Sequence, residues 1–142
     1  MSYFSFRGRI RHPFFPQLAA DQAANRRGRS KALAGTFGEL AGAAARGAQA
    51  RRAVFVLTSV REPLSDVQRD ELWRLFQVPV YALRARSGCV EAWECEAQNG
   101  LHLAGGGEEI TCACGRPGAM LAVSLAEARR TEEDGRVSFA CL

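Results

Sequence analysis

The chain has 142 residues, 47% of them hydrophobic and 24% charged, with a formal net charge of +4; this suits one globular domain and leaves little room for a second. No apolar run reaches the roughly 18–20 residues of a spanning helix, and the start, Met1-Ser2-Tyr3-Phe4-Ser5-Phe6-Arg7, lacks the apolar core of an export signal, so a soluble, cytoplasmic protein is expected. Lys31 is the single lysine, which excludes Schiff-base chemistry and phosphate loops built on Gly-Lys-Ser/Thr.

The charge is unevenly divided: +8 through Arg52 and −4 over the remainder. A basic, acid-poor front points to an acidic partner, with Arg7, Arg9, Arg11, Arg26, Arg27, Arg29 and Lys31 as its contacts to nucleic acid or to a protein. Tyr3, Phe4, Phe6, Phe14 and Phe15 lie among them and offer stacking surfaces. Coding bias alone would also give 18 arginines among 19 basic residues and 13 alanines between positions 17 and 53. Residues 1–16, closed by Pro13 and Pro16, read as an extended arm. From Gln17 to Arg52 the Ala and Leu content predicts two marginal helices, 17–26 and 30–50, weakened by Gly28, Gly35, Gly38, Gly42 and Gly47. Gly35, Gly38, Gly42 and Ala45 recur at helical spacing and would let the second helix lie close to a partner surface.

Ala53-Val54-Phe55-Val56-Leu57-Thr58 is an apolar, β-branched run of strand length, typical of a strand buried on both faces. Ser65 can cap a helix, with Gln68 completing a capping box, Leu72, Leu75 and Phe76 forming its buried stripe, and Pro79 stopping it. Val78 to Arg84 then predicts a second strand, parallel to the first across the helix. Beyond Ser87-Gly88 the texture changes to short strands: Val90–Glu94, then Leu101–Leu103, Glu109–Cys112 and Ala119–Val123, with a short helix at Leu125–Arg130 and a last strand at Val137–Leu142. The fold class expected is α/β: a small βαβ-type unit followed by a short-stranded zinc-binding β subdomain, preceded by a helical or extended basic N-terminal arm. The expected division is 1–52 for the Arg/Ala-rich arm and 53–142 for the α/β zinc-binding domain.

Zinc enters through four soft donors in one short region: Cys95, six residues, His102, nine residues, Cys112, one residue, Cys114. Three thiolates and an imidazole form a closed tetrahedral set for structural zinc. The glycine after Cys114 lets the backbone turn, and Asn99-Gly100 is a hairpin turn that brings His102 back towards Cys95. Independent core residues and thiol redox chemistry are the competing readings. Cys89 is the substitute ligand should His102 face away, and Cys141 is left as the free thiol. A catalytic zinc would need an open position and a base, for which Glu94, Glu96, Glu108 and Glu109 are near in sequence; four protein ligands favour a structural ion.

The stretch Val56-Leu57-Thr58-Ser59-Val60-Arg61-Glu62-Pro63-Leu64-Ser65-Asp66-Val67-Gln68-Arg69, continuing through Leu72 to Tyr81, resembles the central part of phenylacetate-CoA ligases and related adenylate-forming enzymes. Trp93 to Leu103 resembles the segment that follows in those ligases, and Cys112-Ala113-Cys114-Gly115-Arg116-Pro117-Gly118 resembles a Cys-x-Cys-Gly-Arg element further on. The resemblance covers residues 53–120 and implies a zinc site at Cys95, His102, Cys112 and Cys114. Where the family carries a Tyr-Gly-x-Thr-Glu type motif for nucleotide and magnesium, this chain reads Tyr81-Ala82-Leu83-Arg84-Ala85. The resemblance therefore implies a scaffold that keeps the metal cluster without the adenylation chemistry, since similarity of fold does not carry activity without the site.

The leading expectation is a non-catalytic, zinc-binding accessory or adaptor protein acting on a larger protein partner or complex, with no nucleotide and no catalytic residues. The alternatives are a nucleic-acid-binding protein using the basic arm, and a small enzyme with residual acyl- or CoA-ligase-related activity or zinc hydrolysis. Against the enzyme, Ser59, Ser65 and Ser87 lack a nucleophile-elbow context and His12 lies in the arm.

Overall fold

The fold comes from a computed structural model that describes residues 9–12, 15–59, 63–86, 89–98, 101–103, 114, 120–121 and 140–141. Among them run, in chain order, strands β1 (Ile10–His12), β2 (Phe15–Gln22) and β3 (Arg29–Gly35), helix α1 (Phe37–Ala45), strand β4 (Gln49–Thr58) and helix α2 (Asp66–Phe76). Strands β5 (Val80–Arg86), β6 (Cys89–Glu94), β7 (Leu101–Leu103), β8 (Met120–Leu121) and β9 (Ala140–Cys141) follow. The strands join one mixed sheet in the order β1 to β8, with β9 also on β6. Strands β2, β3, β4 and β5 are mutually parallel, while β1, β6, β7, β8 and β9 pair antiparallel.

The apolar run expected to be a buried strand is the centre of this sheet. Ala53 to Thr58 are all buried, and their alternation feeds two cores. Ala53, Phe55 and Leu57 pack inward with Ile10, Leu18, Ala20, Ala32, Ala34, Tyr81 and Leu83. Val54 and Val56 face the opposite side, where Leu40 and Ala43 of α1 and Leu72 and Phe76 of α2 cover them. Each large side chain so buried contributes about 1.5–3 kcal/mol. Helix α2 begins where the sequence predicts: Ser65 Oγ accepts from the Gln68 amide at 3.1 Å, and Gln68 Oε1 accepts from the Ser65 amide at 3.2 Å.

The segment before Arg52 departs from expectation. Strands β2 and β3 stand where helices over 17–26 and 30–50 were expected, and only Phe37–Ala45 is helical. The reason is tertiary pairing: β3 lies parallel to β4, so that Ala32, Ala34 and Ala53 sit fully buried in one layer, and burial between strands overrides the helix propensity of alanine. The boundary expected at residue 52 falls inside β4, and β1 to β3 belong to the same sheet as the rest. Of the small-residue series, Gly35 makes the tightest approach: a Cβ there would meet the Cβ of Ala23 at 3.0 Å and that of Glu39 at 3.2 Å, whereas one at Gly42 meets only the flexible end of Arg46 at 3.3 Å and nothing lies within 4 Å of one at Gly38.

The sheet curls until its first strand reaches its sixth. His12 on β1 is fully buried, its ring 4.7 Å from that of Phe15 and 5.5 Å from that of Phe55, and its Nε2 lies 2.6 Å from the carbonyl oxygen of Glu94 on β6. A carbonyl only accepts, so Nε2 carries the proton. The histidine expected in a free arm is thus a core residue. The Glu94 side chain closes the same junction from the helical side: Arg69 of α2 donates to both its oxygens, at 2.8 and 2.9 Å, and the Ala82 amide of β5 donates at 3.0 Å. No helix among the described residues is long and apolar enough to cross a membrane.

Removing one partner of a buried ion pair strands the other charge. Arg69→Met is therefore expected to cost about 2–4 kcal/mol in denaturant unfolding, while Arg74→Met on the exposed side of α2 stays within about 0.5 kcal/mol; equal effects would contradict the assignment.

Candidate metal centre

The site is built on the end of β6. Glu94 is fixed by the contacts just described, and Cys95 follows it directly. A tight turn comes next, in which the Gln98 amide donates to the Cys95 carbonyl at 3.0 Å, with Gln98 in the left-handed region at φ 54°. The Gln98 side chain donates to the Val80 carbonyl at 2.9 Å, and the same carbonyl accepts from Arg69 at 2.8 Å. The start of β5 thereby holds both the helix and the turn.

Strand β7 returns antiparallel, with His102 opposite Trp93 and Leu101 opposite Glu94. Side chains two positions apart on a strand share a face. Cys95, two residues past Trp93, therefore faces the same way as His102. Cys114 completes the group: one donor atom from each of Cys95, His102 and Cys114 lies within 4.8 Å of the others. Cys95 and His102 are 1% and 2% exposed, Cys114 is partly buried, and neither cysteine is in a disulfide.

One distance tests whether this group suits a metal. The Cys114 sulfur lies 3.6 Å from His102 Nε2. Two ligands of a tetrahedral ion with metal–sulfur and metal–nitrogen bonds of about 2.3 and 2.0–2.1 Å lie about 3.6 Å apart. Cys114 and His102 are thus spaced as two ligands of one ion, Cys95 offers its sulfur within 4.8 Å of both, and the set of two sulfurs and an imidazole is soft, unsuited to magnesium or calcium. The three residues could hold a metal ion together.

Of the four ligands expected from the sequence, the structure brings three together; Cys112 lies outside the described residues. Cys89 is no substitute: it opens β6, paired with Arg86 and with Cys141 of β9, six residues before Cys95 and roughly 20 Å away along an extended strand. Glu94 is no base for a metal-bound water, because both its oxygens are engaged. Glu96 is exposed, and Glu108 and Glu109 lie outside the described residues.

The basic residues are distributed differently from an arm. Arg9 and Arg26 each pair with Asp21, at 3.0 and 3.2 Å. Arg29 and Lys31 project from β3, and Arg27 is exposed in the loop before it. Arg11 lies on β1, and Arg7 lies outside the described residues. Phe15 is unavailable for stacking on a nucleic acid, because its ring packs on His12 and on Tyr81 at 5.1 Å; Tyr3, Phe4, Phe6 and Phe14 lie outside the described residues.

Sequence reasoning missed the residues that position the site: Arg69, Gln98 and His12. Their signal is Glu94. In Val90-Glu91-Ala92-Trp93-Glu94 it falls on the face of Val90 and Ala92, and a carboxylate on an apolar face requires a cation from another element.

Fold and site define an α/β protein with a buried Cys/His/Cys cluster at the end of a sheet strand. No protein-family model matches the chain, and no curated protein matches it.

The arrangement has a direct spectroscopic readout. Cobalt(II) added to the reduced protein is expected to give thiolate-to-metal charge-transfer absorption. Cys95→Ser, Cys114→Ser and His102→Ala should each weaken binding by at least ~100-fold, and Cys89→Ser should leave it within about twofold. Unchanged binding in the Cys95 or Cys114 variant would remove the site.

Proposed function

We infer that this chain is a zinc-stabilised, non-catalytic accessory or adaptor module that acts by contact with a larger protein. The observation that carries the reading is the 3.6 Å spacing of Cys114 sulfur and His102 Nε2 within a cluster whose third donor, Cys95, is almost wholly buried. Cys112, two residues before Cys114, is the fourth ligand, and the resulting three thiolates and one imidazole close the coordination sphere. A closed ion stabilises its surroundings and offers no position to substrate. The engagement of Glu94 by Arg69 and Ala82 supports this, since it withdraws one of the two carboxylates adjacent to Cys95 from acid–base work.

The resemblance to phenylacetate-CoA ligases over residues 53–120 supports the same reading from the other direction. Tyr81-Ala82-Leu83-Arg84-Ala85 lacks the glycine, threonine and glutamate of the nucleotide motif, and the position of the motif's glutamate is occupied by Ala85 in a sheet strand. Contact with a protein is favoured by the surface of α2, where Val67, Trp73 and Leu75 are 72, 55 and 47% exposed. Apolar side chains left in water can be covered by a partner protein.

The purified chain is expected to hold about one equivalent of zinc, and a strong chelator should lower its melting temperature by at least ~10 °C, because structural zinc contributes folding energy outright. Less than about half an equivalent with unchanged melting would contradict the structural role. Adenylate formation from ATP and a carboxylic acid would contradict the non-catalytic one.

A further inference from the structure

A second feature lies on the parallel part of the sheet, independent of the metal centre. Arg9, Arg26, Arg29, Lys31 and Arg51 line a single groove of about 480 Å³ together with one carboxylate, Asp21. Among the described residues five cations face one anion there, which leaves the groove strongly positive. Its shape comes from the strands: Arg29 and Lys31 are two positions apart on β3 and share a face, roughly 6.6 Å from one another. In β4 the register slips between the pairs Ser30–Ala50 and Ala32–Ala53, so that Arg51 and Arg52 both stand opposite Lys31. Such a bulge re-aims a side chain, and here it brings Arg51 into the groove with Lys31.

The cations differ in how far they are engaged. Asp21 is shared by Arg9 Nε at 3.0 Å and Arg26 Nη2 at 3.2 Å, and the two arginine side chains are 66 and 41% exposed. Ion pairs this open are weak and exchangeable. Arg29 Nε donates to the neutral Gln49 amide oxygen at 3.2 Å. The side chains of Lys31 and Arg51 make no hydrogen bond or ion pair with the described residues, and both residues are exposed. Asp21 occupies the place of an external anion, held by two guanidinium groups whose geometry equally suits a phosphate.

We propose that this groove binds the sugar–phosphate backbone of single-stranded nucleic acid without reading its bases. Charge argues for phosphates, and the rest of the lining decides among their bearers. Among the described residues Ala19 is the sole apolar side chain lining it, a lining without a pocket for the apolar anchors that hold a peptide. Among the described residues no aromatic ring lines it, so this lining gives bases nothing to stack on. What remains is a row of donors at strand spacing, fitted to successive phosphates of an extended chain. The expected basic contacts Arg9, Arg26, Arg29 and Lys31 thus act from the folded sheet, with Arg51 added and Asp21 as their internal competitor.

Fluorescence anisotropy with a labelled oligothymidine of about twenty nucleotides, titrated with the full chain across a salt series, tests this; three to four phosphates contacted give a log–log salt slope of about −2 to −3. Lys31→Ala with Arg51→Ala should weaken binding at least ~10-fold and reduce the slope by about 1.4, two phosphate contacts' worth. Asp21→Asn frees Arg9 and Arg26 and should tighten binding by about threefold or more, a gain that misfolding cannot imitate. Arg74→Ala, on α2, should leave affinity within about twofold. The proposal is overturned by absent binding at low salt, by an Arg74→Ala loss equal to that of the double variant, by Asp21→Asn failing to tighten, or by capture of tripolyphosphate without the oligonucleotide.

Discussion

A charged carboxylate buried at a strand end costs several kcal/mol unless other groups surround it with donors, and Glu94 is in that position. Its two oxygens receive Arg69 from α2 and the Ala82 amide from β5, and its carbonyl receives the proton of His12 from β1. One residue of β6 thus meets a helix, the neighbouring strand and the strand that begins the sheet. Satisfying this single residue requires the sheet to curl, because β1 and β6 meet only if β2 to β5 bend between them. The inner core of Phe55, Leu83, Tyr81 and the alanines of β2, β3 and β4 fills the space so enclosed.

The same constraint sets the donor cluster. Cys95 inherits its position from Glu94, and the Val80 carbonyl that receives Arg69 also receives Gln98, which shapes the turn after Cys95. Strand β7 then carries His102 to the face of Cys95 through ordinary antiparallel pairing. Two of the three donors are therefore placed by hydrogen bonds belonging to the fold. In the proposed reading, zinc adds to a junction already drawn together, and supplies a chain of this length with stability that its alanine-rich core does not.

What was legible in the sequence follows from which forces are local. The buried run Ala53–Thr58, the Ser65–Gln68 capping box and the Cys/His donors after a strand are written in neighbouring residues; the structure places the run and the capping box as read and brings three of the four donors, Cys95, His102 and Cys114, together. The region before Arg52 reads as helix in sequence because alanine favours helix in isolation, while close strand packing rewards its small size, a property of the sheet rather than of the segment. A local signal existed: Arg29-Ser30-Lys31-Ala32 alternates exposed and buried, with the period of a strand. Thr36-Phe37-Gly38-Glu39 likewise marks the true start of α1, where Thr36 and Glu39 exchange hydrogen bonds at 2.9 and 3.2 Å. Arg69 with Glu94 and His12 with Glu94 are 25 and 82 residues apart, and no spacing rule reaches across such intervals.

In the proposed reading the Glu94 junction and the metal cluster form one cooperative unit. The most direct measurement is the increase in unfolding free energy that zinc confers, taken by denaturant titration with and without the ion in the native sequence and in Glu94→Gln. Coupled sites deviate from additivity, and the account predicts that the increment in the variant falls by at least about 1.4 kcal/mol, a tenfold loss of zinc affinity. An identical increment in both proteins would contradict it, showing that the metal is held without the junction.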